Sequence, residues 1–198
     1  MMGNGMSKTI LYLHGFMSAP ESFKAQLLKT ALAQKAADCR YSCPQLPIPP
    51  VEAVKVAMAE IRDVPAEELI VIGSSLGGYY ANWIAEQCGC RAVLLNPVID
   101  PWRIKILEDS PDRSDLQVKA WLDFRETYAA ELAAVHVKDI TRPERYLLVA
   151  ATGDELLDWQ LMRDHYQGAR QVIIPESNHG ISDFEQYMPQ VLAFCGIA

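Results

Sequence analysis

Residues 69–78, LIVIGSSLGG, decide the fold of this chain. The first four residues are uniformly apolar, which is typical of a strand buried on both faces of a parallel sheet. The glycine-rich turn that follows leads directly into residues 79–87, whose pattern predicts a helix. A buried strand that passes through a tight turn into a helix is a building unit of α/β proteins.

The same alternation of strand and helix extends outward from this stretch over most of the chain. Further strands are predicted at residues 9–13, 39–43, 92–95, 146–150 and 171–174. Helical spacing of apolar residues marks residues 22–36, 51–61 and 184–194. The pattern predicts an α/β fold: a doubly wound, mostly parallel sheet of about six strands with helices on both faces.

The alternation is interrupted between residues 98 and 143. This span combines many charges with Trp102, Trp121, Phe124 and Tyr128, and its pattern is helical without a strand. The interruption predicts a helical, cap-like insertion above the carboxyl edge of the sheet. A length of 198 residues indicates a single domain, 1–198, that contains this insertion.

The composition of the chain excludes several kinds of partner and of function. The chain has 25 acidic and 18 basic residues and a net charge of -7, and no basic cluster occurs, which argues against nucleic acid and anionic membranes as partners. No apolar run is long enough for a membrane span, and residues 1–8 lack the apolar region of a signal peptide. The 5 cysteines are an odd number, so we expect reduced thiols, a cytoplasmic location and no metal.

The turn after the central strand carries the candidate nucleophile. In Gly73-x-Ser75-x-Gly77, the serine stands on a sharp turn that requires small residues two positions away on either side. The backbone N–H of Leu76, at the start of the following helix, is then a candidate oxyanion donor. Ser74 is the rival nucleophile, but it lacks the symmetric glycines.

A serine hydroxyl needs a base to take its proton, and His179 is the candidate. It follows the last predicted strand, so its loop reaches the same sheet edge as Ser75. His136 and His165 fall in predicted helical segments and are interpreted as ordinary surface or packing histidines. His14 also lies at the edge, directly after the first strand, but is assigned a different role.

The base needs a carboxylate to orient it, and Asp154 is preferred. It follows a predicted strand, and Gly153 permits the turn that aims it back at the site. The order serine, aspartate, histidine is the one expected for this type of turn. Glu155 and Asp158 remain alternatives, and Asp183 is disfavoured because it follows the histidine.

The loop after the first strand completes the candidate site. Gly15 lets the backbone approach a substrate carbonyl, and the N–H of Phe16 is the second candidate oxyanion donor. His14, Gly15, Met17 and Tyr79 are the candidate substrate contacts. His14 could instead brace the loop through hydrogen bonds.

With these residues assembled, the chain resembles the YqiA/YcfP-like branch of small bacterial α/β-hydrolase esterases. The matching stretches are LYLHGFMSAP (11–20), PQLP (44–47), IVIGSSLGGYYA (70–81), LLNP (94–97), TGDELLD (152–158) and the NH…FEQY group (178–187). The resemblance implies a compact α/β-hydrolase esterase with Ser75, Asp154 and His179 at the triad positions. It is weakest over residues 102–142.

The sequence therefore predicts a serine hydrolase without a cofactor, acting on a small carboxylic ester or acyl thioester through an acyl-enzyme. Two alternatives stay open: a non-catalytic binding module on the same fold, and a triad hydrolase of another bond, such as a lactone or a peptide. The intact set of Ser75, Asp154 and His179 argues against the binding module. The oligomeric state does not follow from the sequence.

Overall fold

A computed structural model describes residues 8–36, 38–101 and 125–197. Its centre is a sheet of 6 strands in the order β2-β1-β3-β4-β5-β6, in which each neighbouring pair is parallel. The strands are β1 (Thr9–Leu13), β2 (Arg40–Ser42), β3 (Leu69–Ser74), β4 (Arg91–Leu95), β5 (Tyr146–Ala151) and β6 (Arg170–Ile174). The predicted mostly parallel sheet of about six strands is confirmed.

The described helices connect the strands and cover both faces of the sheet. They are α1 (Phe23–Lys35), α2 (Pro50–Glu60), α3 (Leu76–Cys88), α4 (Arg125–Ala134), α5 (Trp159–His165) and α6 (Phe184–Phe194), with a 3-10 turn at Pro143–Arg145. Residues of α1 and α6 pack with one face of the strands, and residues of α2, α3, α4 and α5 pack with the other. This is the doubly wound arrangement that the alternation predicts.

The central strands are uniformly apolar because both of their faces are covered. All residues of β1, β3 and β5 are buried, whereas the edge strand β6 is exposed at its first residue and only half-buried over most of the remainder. Successive residues of β3 enter opposite cores: Val71 packs with α3, and Ile70 and Ile72 pack with α1 and α6. The period of two along a strand produces this division.

The predicted cap-like insertion, residues 98–143, lies partly outside the described residues, and with it Trp102, Trp121 and Phe124. In its described part, α4 packs against α2 and α3: the N–H of Val51 donates to Oε2 of Glu131 at 3.1 Å, and the hydroxyl of Tyr79 donates to the carbonyl of Leu132 at 2.8 Å. Helix α4 thus belongs to the layer on one sheet face. The role of the whole insertion as a cap stays a prediction.

No helix within residues 8–36, 38–101 or 125–197 is long and apolar enough to cross a membrane.

Candidate active site

Ser75 lies on the sharp turn between β3 and α3. Its φ of 55° and ψ of -121° place it in a region that residues with side chains rarely adopt. The turn holds because its backbone is anchored on both sides: the N–H of Ser75 donates to the carbonyl of Leu95 at 3.0 Å, and its carbonyl accepts from Val98 at 3.1 Å. Strain of this kind persists where the surrounding structure fixes it.

The two glycines of the turn are required by close backbone approach. A Cβ atom on Gly73 would lie 2.2 Å from the carbonyl oxygen of Gly77, and one on Gly77 would lie 2.1 Å from that of Leu13. Backbone atoms at such distances leave no room for a methyl group. The requirement for small residues two positions away from Ser75 therefore has a direct steric cause.

Strained backbone is concentrated at the edge of the sheet where Ser75 lies. The described residues other than glycine with positive φ all follow the carboxyl ends of strands, namely Met17, Ser75, Asn96, Glu176 and Ile181. Such conformations are uncommon away from glycine, and their clustering is typical of functional sites. This edge is therefore the candidate site.

Ser75, His179 and Asp154 form a continuous hydrogen-bonded chain. The hydroxyl of Ser75 lies 3.0 Å from Nε2 of His179, and Nδ1 of His179 lies 2.8 Å from Oδ2 of Asp154. The side chain of Asp154 is 0% exposed and that of His179 is 16% exposed. The carboxylate fixes the ring with Nδ1 protonated, which leaves Nε2 free to accept the serine proton.

The alternative carboxylates have other partners. Oδ1 of Asp158 accepts the N–H of Gln160 at 2.8 Å and caps α5, and Oε2 of Glu155 accepts the backbone N–H of His179 at 3.0 Å. The remaining oxygen of Asp154 accepts the N–H groups of Leu156 and Leu157, each at 2.9 Å. The rival nucleophile, Ser74, is buried in β3 beside Tyr12.

Gly153 lets the loop of Asp154 approach the loop of His179. A Cβ atom at this position would lie 2.7 Å from the carbonyl oxygen of Ser177 and 2.9 Å from that of Glu176. The two loops thus touch through their backbones just before the residues whose side chains pair. This contact gives a steric reason for the glycine beside Asp154.

The loop after β1 places its backbone against Ser75. A Cβ atom on Gly15 would lie 3.3 Å from Cβ of Ser75 and 3.9 Å from its Oγ. Within the described part of the chain, the N–H groups of Phe16 and Leu76 have no hydrogen-bond acceptor. Two unpaired donors beside a serine hydroxyl can bind an oxyanion.

His14 is a buried residue, 3% exposed, with both ring nitrogens occupied. Its Nδ1–H donates to the carbonyl of Gly15 at 2.9 Å, and Nε2 accepts the N–H of Leu46 at 3.0 Å. Burial lowers the pKa of His14 below its usual value, so the ring is neutral. These contacts favour the bracing role over direct substrate contact.

A shallow groove opens beside this loop. Its lining consists of residues 14–18, which include His14, Gly15 and Met17, the segment 45–48, and Leu76 and Tyr80. Tyr79 does not line the groove: it is 4% exposed, and its hydroxyl lies 3.2 Å from Nδ1 of His136 as well as contacting α4. His136 itself follows the end of α4, so its predicted helical position is wrong.

A second cavity, of about 230 Å³, lies between the loops that follow β4 and β5. Its lining combines the carboxylates of Asp100 and Asp158 with six apolar residues, namely Pro97, Ile99, Leu156, Leu157, Leu161 and Met162. Leu156 and Leu161 are among the exposed large apolar residues, at 45% and 38%. The cavity is next to the triad candidates because Val98 contacts Ser75 and Leu157 contacts Asp154.

Lys24 and Asn96 lie at the site although the sequence patterns did not single them out. Lys24 of α1 donates to the carbonyl of Gly180, beside His179, and burial lowers the pKa of Lys24 to about 8 while the charge of Asp154 opposes this change. Asn96 is fully buried and contacts the loop of His179. The signal for Asn96 was its position: like Ser75, it directly follows a buried strand.

Among residues 8–36, 38–101 and 125–197, no group of three His, Cys, Asp or Glu side chains is arranged to hold a metal ion.

Solved structures share the fold at low sequence identity. The alpha/beta hydrolase domain-containing protein 10 from mouse superposes with a TM-score of 0.67 and 14% identity, covering 93% of this chain and 89% of the mouse chain. The Pyrococcus furiosus esterase Pf2001 gives a TM-score of 0.68 and 16% identity, covering 96% of this chain and 81% of the esterase. The predicted α/β-hydrolase fold is confirmed, and it is a fold that known esterases share.

Sequence relatives cover almost the whole chain. A UPF0227 protein of Serratia proteamaculans (strain 568) is 24% identical over 189 residues, which is 93% of this chain and 97% of the relative. The model of the family described as "Uncharacterised protein family (UPF0227)" matches residues 9–196. This match confirms the resemblance drawn from the sequence, and the chain belongs to the UPF0227 family.

Proposed function

We propose that this protein is a serine hydrolase that cleaves a small carboxylic ester or acyl thioester through an acyl-enzyme. The observation that carries the proposal is the chain of hydrogen bonds from Ser75 Oγ to His179 Nε2, at 3.0 Å, and from His179 Nδ1 to the buried Asp154, at 2.8 Å. This arrangement activates a hydroxyl that is otherwise a weak nucleophile.

Acylation begins when Oγ of Ser75 attacks the substrate carbonyl carbon and its proton passes to Nε2 of His179. The negative charge of Asp154 stabilises the resulting imidazolium. Collapse of the tetrahedral intermediate breaks the bond to the leaving group, and His179 returns the proton to the departing alcohol or thiol. The acyl group remains on Ser75 as an ester.

Deacylation repeats these steps with water. His179 takes a proton from the water, whose oxygen attacks the acyl carbon, and then returns a proton to Oγ of Ser75 as the carboxylic acid leaves. The N–H groups of Phe16 and Leu76 stabilise the oxyanion in both halves of the reaction. The loss of one such donor typically costs about 3–4 kcal/mol of transition-state stabilisation.

The apolar surroundings favour a small acyl substrate. The cavity of about 230 Å³ beside Ser75 and Asp154 is smaller than the ~300–1,000 Å³ of typical drug-sized sites. The six apolar residues of its lining suit a short acyl chain, and the groove beside Phe16 and Met17 can hold the leaving group. We therefore expect short acyl chains to be preferred over long ones.

A fluorophosphonate probe tests the proposal, because it reacts only with an activated serine. We expect one adduct on Ser75 of the wild type, located by intact mass and peptide mapping, and no adduct on Ser75→Ala. A folded wild type that gains no adduct would contradict the proposal and favour a binding module.

A panel of substrates then shows which type of bond the enzyme cleaves. We expect turnover of short p-nitrophenyl esters and acyl thioesters, with rates that fall as the acyl chain lengthens. If the enzyme is labelled on Ser75 but turns over only lactones or peptides, Ser75 is still the nucleophile and the proposed ester or thioester substrate is wrong.

A further inference from the structure

Asn96 lies where the three loops of the candidate site meet. It directly follows β4, the neighbour of the strand that carries Ser75, and it is 0% exposed. Its φ of 42° is a left-handed conformation, which asparagine adopts more readily than most residues. A buried amide in this conformation must have hydrogen-bond partners for both ends of its side chain.

The side-chain amide of Asn96 has three partners. Nδ2 donates to the carbonyl of His179 at 2.9 Å and to that of Asn178 at 3.1 Å, and Oδ1 accepts the N–H of Ala151 at 2.8 Å. Since the two carbonyls can only accept and the N–H can only donate, the orientation of the amide is determined by its surroundings.

These bonds connect Asn96 to each member of the candidate triad. It contacts the backbone of His179 directly. Ala151, which it also holds, accepts the N–H of Asp154 at 3.3 Å, and Leu95, the preceding residue, accepts the N–H of Ser75 at 3.0 Å. The buried side chain of Asn96 thus joins the backbones that carry the base and the acid, and its own backbone directly follows the residue that anchors the nucleophile.

Glu155 holds the other side of the same residue. Its Oε2 accepts the backbone N–H of His179 at 3.0 Å, while Asn96 donates to the backbone carbonyl of His179. Both polar backbone groups of His179 are therefore held by side chains from loops that follow β4 and β5. In the described part of the chain, neither side chain bonds to the imidazole ring, so any effect on the base is transmitted through the backbone.

We propose that Asn96 and Glu155 are positioning residues that keep His179 within hydrogen-bonding reach of Ser75 and Asp154. The proposal rests on the proposed function. Its physical basis is that a base displaced by about 1 Å can lose about 100-fold in rate. The loop of His179 is mostly exposed and comes after an edge strand, so it needs contacts from the interior to fix its place.

The test compares labelling of Ser75 by the fluorophosphonate in three variants. Asn96→Gly removes the amide yet accepts the left-handed φ, and Glu155→Ala removes an exposed side chain that the fold does not need. We expect the labelling rate of folded protein to fall about 10- to 100-fold in Asn96→Gly and about three- to tenfold in Glu155→Ala. Glu155→Gln keeps an acceptor oxygen and should restore most of the rate.

Asn82→Ala is the matched control, because Asn82 is another buried asparagine, 4% exposed, on α3. Because Oδ1 of Asn82 has no hydrogen-bond partner among the described residues, we expect Asn82→Ala to leave the labelling rate of folded protein unchanged. For ester substrates, the loss in Asn96→Gly and Glu155→Ala should fall on kcat, with KM unchanged within about twofold, since neither residue lines the groove or the cavity.

Two results separate this proposal from the proposed function. A wild type that is not labelled overturns the proposed hydrolase activity. The NMR signal of the proton between His179 and Asp154 then tests the positioning role. Loss of this signal in Asn96→Gly and Glu155→Ala supports that role, and its persistence in both variants overturns it. A wild type that is labelled, with unchanged rates in both variants, overturns the positioning alone.

Discussion

Nε2 of His179 lies 3.0 Å from Oγ of Ser75, although 104 positions separate the two residues in the chain. They meet because β3 and β6 run parallel in one sheet, so that the loops after them lie at the same edge. The hydrogen bond needs both a strained turn at Ser75 and a fixed loop at His179. The importance of this hydrogen bond and of the residues around it can be tested by single substitutions.

Ser75→Ala should abolish ester hydrolysis while leaving the fold intact. The substitution removes the attacking oxygen, and His179→Ala removes its base; in a serine protease, the corresponding single losses each cost about 10⁶-fold in kcat. Steady-state hydrolysis of a p-nitrophenyl ester measures the loss, with circular dichroism as the control for folding. Equal turnover by wild type and Ser75→Ala would contradict the assignment of Ser75 as the nucleophile.

Asp154→Asn should lower kcat by about 10⁴-fold, less than the loss of Ser75 or His179, because an amide favours the wrong tautomer of His179 without removing the base. Asp158→Asn is the comparison: asparagine caps a helix about as well as aspartate, so α5 should keep its start, and because Asp158 lines the cavity we expect its smaller effect to fall on KM. The same hydrolysis assay compares them. If Asp158→Asn proved the more damaging change, Asp154 would not be the triad acid.

Gly153→Ala should destabilise the protein and slow hydrolysis together. The added Cβ would lie 2.7 Å from the carbonyl oxygen of Ser177, so the loops of Asp154 and His179 must move apart. We expect a loss of about 1–3 kcal/mol in the free energy of unfolding, measured by urea denaturation. In Gly180→Ala the Cβ would meet Oδ1 of Asn178 at an ordinary 3.5 Å, and the change should stay within about 0.5 kcal/mol.

His14→Ala should cost about 1–3 kcal/mol of stability, because the buried N–H of Leu46 loses its acceptor. The pKa of His14 is lowered in the folded protein, so below its ordinary value of 6.5 the unfolded chain binds the proton more readily. The stability that the neutral ring contributes is therefore lost as the pH falls through 6.5.

The direction of this pH dependence is tested by measuring the unfolding temperatures of wild type and His14→Ala between pH 7.5 and 5.5. The difference between the two proteins should shrink toward the acid end of the range. A difference that stays constant or grows would show that His14 is not held neutral by burial.

The sequence by itself determined the elements and their class. Local patterns suffice for this: a short apolar run bounded by turn residues, such as that of β3, is typical of a strand covered on both faces, and the glycines around Ser75 indicate a turn with close backbone approach. The boundaries of β4, β5 and α6 agree with the predicted ones to within one residue. Ser75, Asp154 and His179 could be placed at one edge because parallel strands share an edge.

Only the tertiary structure decided which groups touch. The sequence favoured Asp154 over Glu155 and Asp158 only through the turn that Gly153 permits, because the direction of a side chain on a loop depends on the loop it packs against. Tyr79 was expected at the substrate and instead contacts α4, since the rotation of α3 determines which tyrosine lines the groove. The position of Asn96 after a buried strand does not reveal its partners, which lie 55 and 83 positions away and are brought to it by strand order.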